Sequence, residues 1–200
     1  MSHMRNEDAD QIGASLAELI EQGRLSGARV HASHIKIVLG NDPAQARDLL
    51  EAMESARRDG VTVTADLYPY TAAFASLSIL FPDWARPPND YQAVVRERRA
   101  ELAAYLRVRV DNRNGPDATL FGSGPWSGRT LAEVARELGR PFEEVLVDLG
   151  PGGGQAAYFV MNEEVMATLL AGPHVAVASD GSPTMSHPRG YGTFPRVIRR

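Results

Sequence analysis

The sequence contains no cysteine, no long apolar run and no concentration of basic charge. The missing cysteine excludes a disulfide scaffold, a thiolate nucleophile and a thiolate metal ligand among these residues. No run reaches the roughly 20 apolar residues of a membrane-spanning helix, so no membrane insertion is predicted. The 21 Lys and Arg residues are scattered and are outnumbered by 25 Asp and Glu residues, which argues against a nucleic-acid partner.

The amino-terminal residues also lack the features of a secretory signal. Arg5, Glu7, Asp8 and Asp10 stand where the apolar region of a signal peptide would be. The sequence therefore predicts a cytoplasmic protein. With 44% hydrophobic and 23% charged residues, the 200-residue chain has the composition of an ordinary globular domain with a sizeable core.

Hydrophobic patterns along the chain alternate between helical and strand-like periods. Such alternation with short connections is typical of a parallel sheet with helical crossovers, which predicts an α/β fold. Doubly wound sheets and (β/α)8 barrels both fit, but a whole barrel typically needs about 250 residues, more than this chain has. Helices are predicted over residues 8–26, 43–58, 91–109, 131–138, 142–149 and 163–170. Strands are predicted over residues 28–34, 61–65, 156–160 and 174–179, and a surface loop over residues 80–88.

Polar side chains stand at the carboxyl ends of predicted strands, where active sites collect in parallel α/β folds. They are His34, Tyr68 and Asp180, and His3 stands before the first helix, where a further strand could end. Two histidines and an aspartate from different strands would suit a hard or borderline metal ion. Each also has a structural interpretation, because strand-end histidines are more often packed than ligating and Asp180 before Gly181 could form a turn.

Two further features are interpreted as structural. His31 shares no face with His34 and is predicted to have a structural role. The glycines within residues 150–154 follow a predicted helix and precede a predicted strand. A phosphate-binding loop has the opposite order, so a flexible connection is predicted here.

The strand-end residues lie within motifs that occur in a fixed order along the chain. The motifs are Ser2-His3-Met4-Arg5-Asn6-Glu7, Ser33-His34-Ile35-Lys36, Ala65-Asp66-Leu67-Tyr68-Pro69-Tyr70-Thr71-Ala72, Ser179-Asp180-Gly181 and His187-Pro188-Arg189-Gly190-Tyr191-Gly192-Thr193-Phe194-Pro195-Arg196-Val197. This set resembles the N-acyl-D-amino-acid deacylase (D-aminoacylase) family of the amidohydrolase superfamily, and the resemblance runs over the whole chain. The spacing from His3 to His34 suits one βα unit.

The resemblance implies a metal-dependent (β/α)8 (TIM) barrel of which this chain spans strands five to eight. It implies one partial domain over residues 1–200 with an insertion at about residues 71–117, and it places the first half of the barrel and a small β-sandwich outside the chain. His3 and His34 would be Zn2+ ligands, and Asp180 would be both a ligand and the catalytic carboxylate. Lys36, Tyr68 and Arg189 would bind the carboxylate of the substrate, an N-acyl-D-amino acid.

The chain departs from the family pattern in its metal ligands and in one substrate contact. The family's His-x-His pair and its ligating cysteine have no counterpart here, so only part of the metal site is present. Phe74 stands where the family often has a serine.

Three functions follow from this reading. The complete protein is expected to be a zinc-dependent deacylase of N-acyl-D-amino acids. A second function is that of a dihydroorotase- or hydantoinase-like amidohydrolase acting on a cyclic or linear amide, although Lys36, Tyr68 and Arg189 favour an acyl amino acid. The third is a catalytically inactive half-barrel. Its two open sheet edges would lead it to pair with a separate amino-terminal half or with itself.

Overall fold

The computed structural model describes residues 1–199. Its helices are α1 (Ile12–Ser26), α2 (Pro43–Arg58), α3 (Tyr91–Asp111), α4 (Leu131–Leu138), α5 (Phe142–Leu149), α6 (Glu163–Leu170) and α7 (Arg189–Ile198). Its strands are β1 (Val30–Ala32), β2 (Val63–Leu67), β3 (Ala72–Ser76), β4 (Thr119–Phe121), β5 (Gln155–Phe159) and β6 (Val175–Val177). No helix within residues 1–199 is long and apolar enough to cross a membrane.

The elements form two compact units. The first consists of Met1–Thr71 together with the described residues from Met161 onward, and the second is Ala72–Val160. The single partial domain that the sequence predicts, with an insertion over about residues 71–117, stays a prediction.

The first unit is built on a parallel sheet with the strand order β1-β2-β6. Successive side chains of a strand point to opposite faces, and in β2 the residues Val63, Ala65 and Leu67 are fully buried while the two between them are half-buried. The buried face packs against helices α1, α2 and α6, which contribute Leu16, Met53 and Leu169 to one apolar core. The opposite face carries polar side chains.

The bounds of α2 follow from the residues that flank it. Asp42 accepts a hydrogen bond from the Ala44 amide at 2.8 Å, and Gln45 completes a capping box with the Asp42 backbone. Pro43 at the first helical position has no amide hydrogen to satisfy. The helix predicted over residues 43–58 is confirmed at both ends.

The second unit contains an antiparallel sheet with the strand order β3-β5-β4. Ala72 pairs with Phe159 at one end of the β3–β5 ladder. Helices α3 and α5 pack together, and Arg99 donates hydrogen bonds to Glu144 at 2.6 Å and to Asp148 at 2.7 Å. Both helices were expected from their hydrophobic periodicity.

The structure corrects two expectations in the second unit. Residues 80–88, predicted as a surface loop, include the end of one short 3-10 helix and the whole of a second. Leu80, Phe81 and Ala85 are buried because burial removes their apolar side chains from water. The sequence predicts neither β3 nor β4. Alanine-rich β3 has a weak intrinsic strand preference, and it becomes a strand by pairing with the distant β5. The sheet of this unit is therefore antiparallel, whereas the sequence predicts only parallel pairing.

Candidate metal and substrate site

Backbone pairing at the edge of the parallel sheet places His3 beside the end of β1. The Ser2 amide donates to the His31 carbonyl at 2.9 Å, and the Ser33 amide donates to the Ser2 carbonyl at 2.9 Å. Ser2 also forms a parallel bridge with Ala32. The residues around Ser2 thus take the place of a further parallel strand, and His3 follows at its carboxyl end.

His34 lies just beyond β1 and faces His3. The His34 Nε2 atom lies 2.9 Å from His3 Nδ1, and the two ring centroids are 4.6 Å apart. His34 has a φ of 41°, a left-handed conformation that is uncommon outside glycine. Partial desolvation of the ring lowers the pKa of His3 although 68% of its side chain is exposed, and the charge of Glu7 opposes this shift. The lowered pKa favours the neutral imidazole, which is the form that binds a metal.

Glu7 connects the histidine pair to Lys36. Its Oε1 atom lies 3.1 Å from His34 Nδ1 and accepts a hydrogen bond from Lys36 Nζ at 2.6 Å. Only 12% of the Glu7 side chain and 7% of the Lys36 side chain are exposed, so this is a buried ion pair. Burial alone would raise the pKa of Glu7, but the hydrogen bond to His34 and the charge of Lys36 hold it below its ordinary value. Burial lowers the pKa of Lys36, and Glu7 opposes that shift.

The two contacts at His34 Nδ1 place opposite demands on this atom, because Glu7 Oε1 at 3.1 Å can accept a proton from it whereas the Lys36 ammonium at 2.9 Å can only donate to it. Glu7 and Lys36 occupy the Nδ1 side of the ring, and the Nε2 side faces His3. If Nδ1 donates its proton to Glu7, the lone pair on Nε2 is directed toward His3. A carboxylate on the far nitrogen is a common partner of a metal-binding histidine. The ligand atoms of His3, Glu7 and His34 lie within 4.8 Å of one another.

A second group of polar side chains lies near the end of β6. Asp180 has a φ of 45°, and its Oδ2 atom forms an ion pair with Arg189 Nη2 at 2.8 Å. The guanidinium carbon of Arg189 lies 4.4 Å from the centroid of the Tyr68 ring. Burial raises the pKa of Tyr68, and the nearby charge of Arg189 opposes this shift. The Tyr68 hydroxyl therefore keeps its proton at neutral pH and can donate a hydrogen bond.

Electrostatic interactions link the two groups of side chains. Besides burial and the charge of Glu7, two further charges act on the pKa of Lys36. The charge of Asp180 acts to raise it, and the charge of Arg189 acts to lower it. The charge of Asp180 also acts to raise the pKa of His3, against the stronger lowering effect of desolvation. Two cations and a phenol are thus near a pair of imidazoles, an arrangement suited to an anionic ligand whose reacting group lies close to a metal ion.

Neighbouring residues fix the backbone on both sides of Arg189. His187 Nδ1 accepts a hydrogen bond from the Arg189 amide at 3.0 Å, and the His187 ring meets the Tyr70 ring edge-on at 5.3 Å. Gly181 lies so close to Gly190 that a Cβ on Gly181 would be 2.7 Å from the Gly190 Cα. The segment between Asp180 and α7 is therefore held against the residues that follow β2.

The structure gathers the site residues predicted from the sequence into these two groups and adds Glu7. From the sequence alone, Glu7 is one of several acidic residues near the amino terminus and the last residue of the first motif, with no predicted role at the site. The available signal was its position four residues after His3 within the same motif. Its contacts with His34 and Lys36 depend on the fold, so spacing alone could not reveal them.

Comparison with curated proteins identifies relatives over the whole chain. No protein-family model matches it. Over 201 residues, covering 98% of this chain, it is 32% identical to a D-aminoacylase from Alcaligenes xylosoxydans xylosoxydans. The chain is a homologue of the N-acyl-D-amino-acid deacylases. An N-acyl-D-glutamate deacylase and an N-acyl-D-aspartate deacylase from the same organism are 29% and 30% identical to it. This deacylase homologue spans about a third of the length of these relatives, 34–35%.

Solved structures give the same result. An N-acyl-D-glutamate deacylase from Bordetella bronchiseptica, complexed with zinc and a phosphonate mimic of the tetrahedral intermediate, matches with a TM-score of 0.73 and 26% identity. The match covers 99% of this chain and 37% of that one. A D-aminoacylase that defines a subset of amidohydrolases matches with a TM-score of 0.70 and 28% identity over 98% of this chain and 35% of that one. The α/β fold class and the family resemblance predicted from the sequence are confirmed.

Proposed function

We propose that this chain is the second half of the catalytic barrel of a zinc-dependent deacylase that hydrolyses N-acyl-D-amino acids. The observation that carries the proposal is the approach of His34 Nε2 to His3 Nδ1 at 2.9 Å, beside the pair formed by Asp180 and Arg189. These groups come from the carboxyl ends of neighbouring parallel strands, where barrel enzymes bind their substrates. The homology to deacylases supports the same function.

The proposal assigns the chain to strands five to eight of a (β/α)8 barrel. The parallel order β1-β2-β6, with the residues around Ser2 beside β1, supports four consecutive positions in such a sheet. On this assignment residues 1–200 form one partial domain with an insertion over about residues 71–117. The cytoplasmic location predicted from the sequence stays a prediction. The first half of the barrel would supply the remaining zinc ligands, either as another part of a longer polypeptide or as a separate chain.

The two facing imidazoles fit zinc, whereas Asp180 is not among the residues whose ligand atoms lie within 4.8 Å of one another. Neutral imidazole nitrogens and carboxylate oxygens are ordinary zinc ligands. Two tetrahedral Zn–N bonds of about 2.05 Å separate their nitrogens by about 3.3 Å, so the facing atoms of His3 and His34 need to move apart by only a few tenths of an ångström. His3, His34 and Asp180 would hold the ion. Bound zinc polarises an amide carbonyl and lowers the pKa of a coordinated water.

The chain's own residues would perform the other steps. Asp180 accepts a proton at a carboxylate oxygen from the attacking water and returns it to the leaving amine. Lys36, Tyr68 and Arg189 bind the carboxylate of the substrate and so fix the position of its amide. Glu7 contacts the His34 ring and keeps Lys36 in place. Because Arg189 is already paired with Asp180, a bound substrate carboxylate would share this guanidinium.

The test measures zinc stoichiometry and hydrolysis of N-acetyl-D-amino acids by the 200-residue chain, beside His34→Ala and Asp180→Ala. About one equivalent of tightly bound zinc, with activity lost in both variants, is the expected result for a chain that assembles a working site, including one that does so as a dimer. N-acetyl-L-amino acids provide the stereochemical control. Tight zinc binding and turnover that survive His34→Ala would contradict the assignment of the ligands.

The alternative functions are separated by two further measurements. The homology to deacylases for glutamate and aspartate derivatives makes an N-acylated acidic D-amino acid a specific second candidate. A panel containing N-acetyl-D-methionine, N-acetyl-D-glutamate, N-acetyl-D-aspartate and a hydantoin distinguishes the substrate classes. A chain with neither zinc nor turnover would support the inactive half-barrel. Sedimentation would then show whether it self-associates, and a clean monomer with cooperative melting would count against that reading.

A further inference from the structure

A chain of three polar side chains runs along the face of the parallel sheet that the helices do not cover. His31 Nδ1 lies 2.7 Å from Thr64 Oγ1, and His31 Nε2 lies 2.7 Å from Asp66 Oδ2. The other oxygen of Asp66 accepts a hydrogen bond from the His34 amide at 2.7 Å. Asp66 is largely buried, with 13% of its side chain exposed. The chain of contacts thus ends on the backbone of the proposed zinc ligand.

Asp66 binds the backbone of two consecutive residues. Its carboxylate accepts the His34 amide, and its own carbonyl accepts the Ile35 amide at 2.8 Å. His34 lies between these bonds with a φ of 41°. A left-handed conformation is unfavourable for a residue with a Cβ, so it persists only where surrounding contacts impose it. The hydrogen bond to an ionised carboxylate is of the strong, charge-assisted kind.

We propose that Asp66, held in place by His31, is a positioning residue that fixes the left-handed backbone of His34 and thereby directs the imidazole toward His3. The role of His34 as a zinc ligand rests on the proposed function, whereas the control of its backbone does not. Asp66 acts through the main chain, unlike Glu7, which contacts the His34 ring. His31 then contributes more than the purely structural role that the sequence predicts, because it fixes the carboxylate that holds the turn.

The test compares Asp66→Ala and Asp66→Asn with a matched control, Asp42→Ala, in the 200-residue chain. Asp42 also accepts a backbone hydrogen bond in the first unit, from Ala44 at 2.8 Å, but it caps α2 and touches neither histidine. An asparagine at position 66 keeps a carbonyl oxygen for the His34 amide, and its NH2 group can donate to neutral His31. It should therefore rescue what alanine loses.

Two measurements follow the backbone in the metal-free chain. In Asp66→Ala, hydrogen exchange at the His34 amide should accelerate by at least about tenfold, since this amide loses its acceptor. The nuclear Overhauser effect between the His3 and His34 rings should weaken. Asp66→Asn and Asp42→Ala should leave both signals close to those of the unsubstituted chain. Unchanged exchange and an unchanged ring contact in Asp66→Ala would overturn the proposal.

The third measurement concerns the metal. Zinc affinity, measured by chelator competition, should fall by about 10- to 100-fold in Asp66→Ala, the usual effect of losing a group that orients a ligand. The visible spectrum of bound Co2+ should change with it, and Asp66→Asn should restore both. If Asp66→Ala lowers only the unfolding midpoint, the effect expected of Asp42→Ala, its role is merely structural and the proposal fails. If the unsubstituted chain binds no zinc, the metal site needs the ligands that the proposed function assigns to the other half of the barrel, while exchange and the ring contact still decide the positioning role.

Discussion

Replacing Glu7 by glutamine tests the buried ion pair beside the histidines most directly. The substitution leaves the ammonium of Lys36, with 7% of its side chain exposed, without the carboxylate that lies 2.6 Å away. Removing one partner of a buried pair costs about 3–5 kcal/mol, and the glutamine carbonyl can still accept from Lys36, so we expect about 3 kcal/mol. With a urea dependence of about 2 kcal/mol per molar, the unfolding midpoint should fall by about 1.5 M.

The assay is urea unfolding of the metal-free chain at pH 7, followed by circular dichroism and by tryptophan fluorescence. Trp84 and Trp126 both belong to the second unit, so their fluorescence shows whether that unit unfolds separately. The double variant Glu7→Gln with Lys36→Met should recover most of the loss, because it leaves no buried charge unpaired. A double variant as unstable as the sum of the two single variants would refute this reasoning.

The same pair predicts a pH dependence. The pKa of Glu7 is held below its ordinary value of 4.5 in the folded chain. Its contribution to stability is therefore complete above pH 4.5 and is lost as the pH falls toward the lowered folded-state pKa. Between these values the unsubstituted chain should lose more stability than Glu7→Gln. Parallel acid unfolding curves for the two chains would contradict the expected shift.

Three further substitutions test other parts of the description. Gly181→Ala should separate the segments around Asp180 and Gly190, because its Cβ would lie 2.7 Å from a backbone atom. Faster limited proteolysis after β6 would show this separation. The control is Gly13→Ala, which has open space around its Cβ and should stabilise α1 by about 0.5–1 kcal/mol. Thr130→Ala should cost about 1 kcal/mol by removing the capping box of α4, measured by fluorescence-detected unfolding, and an unchanged midpoint would count against the cap. In a complete, active deacylase, Arg189→Lys should raise KM for an N-acyl-D-amino acid about tenfold, because lysine lacks the planar pair of N–H donors that binds a carboxylate. It should leave KM unchanged for a substrate whose carboxylate is replaced by an amide. Equal effects on both substrates would argue against carboxylate binding.

Local signals explain which parts of the fold the sequence could predict. The bounds of α2 and α4 were predictable because Asp42 and Thr130 cap their first turns and Gly139 ends α4 in the left-handed conformation. Strand β4 and alanine-rich β3 carry no comparable signal. Both depend on pairing with β5, which is distant in sequence and has no marker that would identify it as their partner.

The candidate site also has features that local sequence predicts and features that depend on the fold. His34 and Asp180 could be proposed as functional residues because they stand at the ends of predicted strands, and His3 because it stands before the first helix, where a further strand could end. The left-handed backbone of His34 and its contact with Asp66 could not be foreseen, since both arise from the register of β1 against β2. Local sequence indicates which residues stand at strand ends, but it does not predict which hydrogen-bond partners the neighbouring strand places beside them.

The point where the chain leaves and re-enters the first unit has a consequence for how such proteins diversify. The Met161 amide donates to the Thr71 carbonyl at 3.2 Å, so the two ends of the intervening segment are already joined. Closing a loop whose ends are fixed in this way depends only weakly on its length. Residues 72–160 could therefore be shortened, lengthened or exchanged for a few-residue turn while the parallel sheet keeps its geometry. This junction is a natural grafting point for replacing the second unit without rebuilding the parallel sheet.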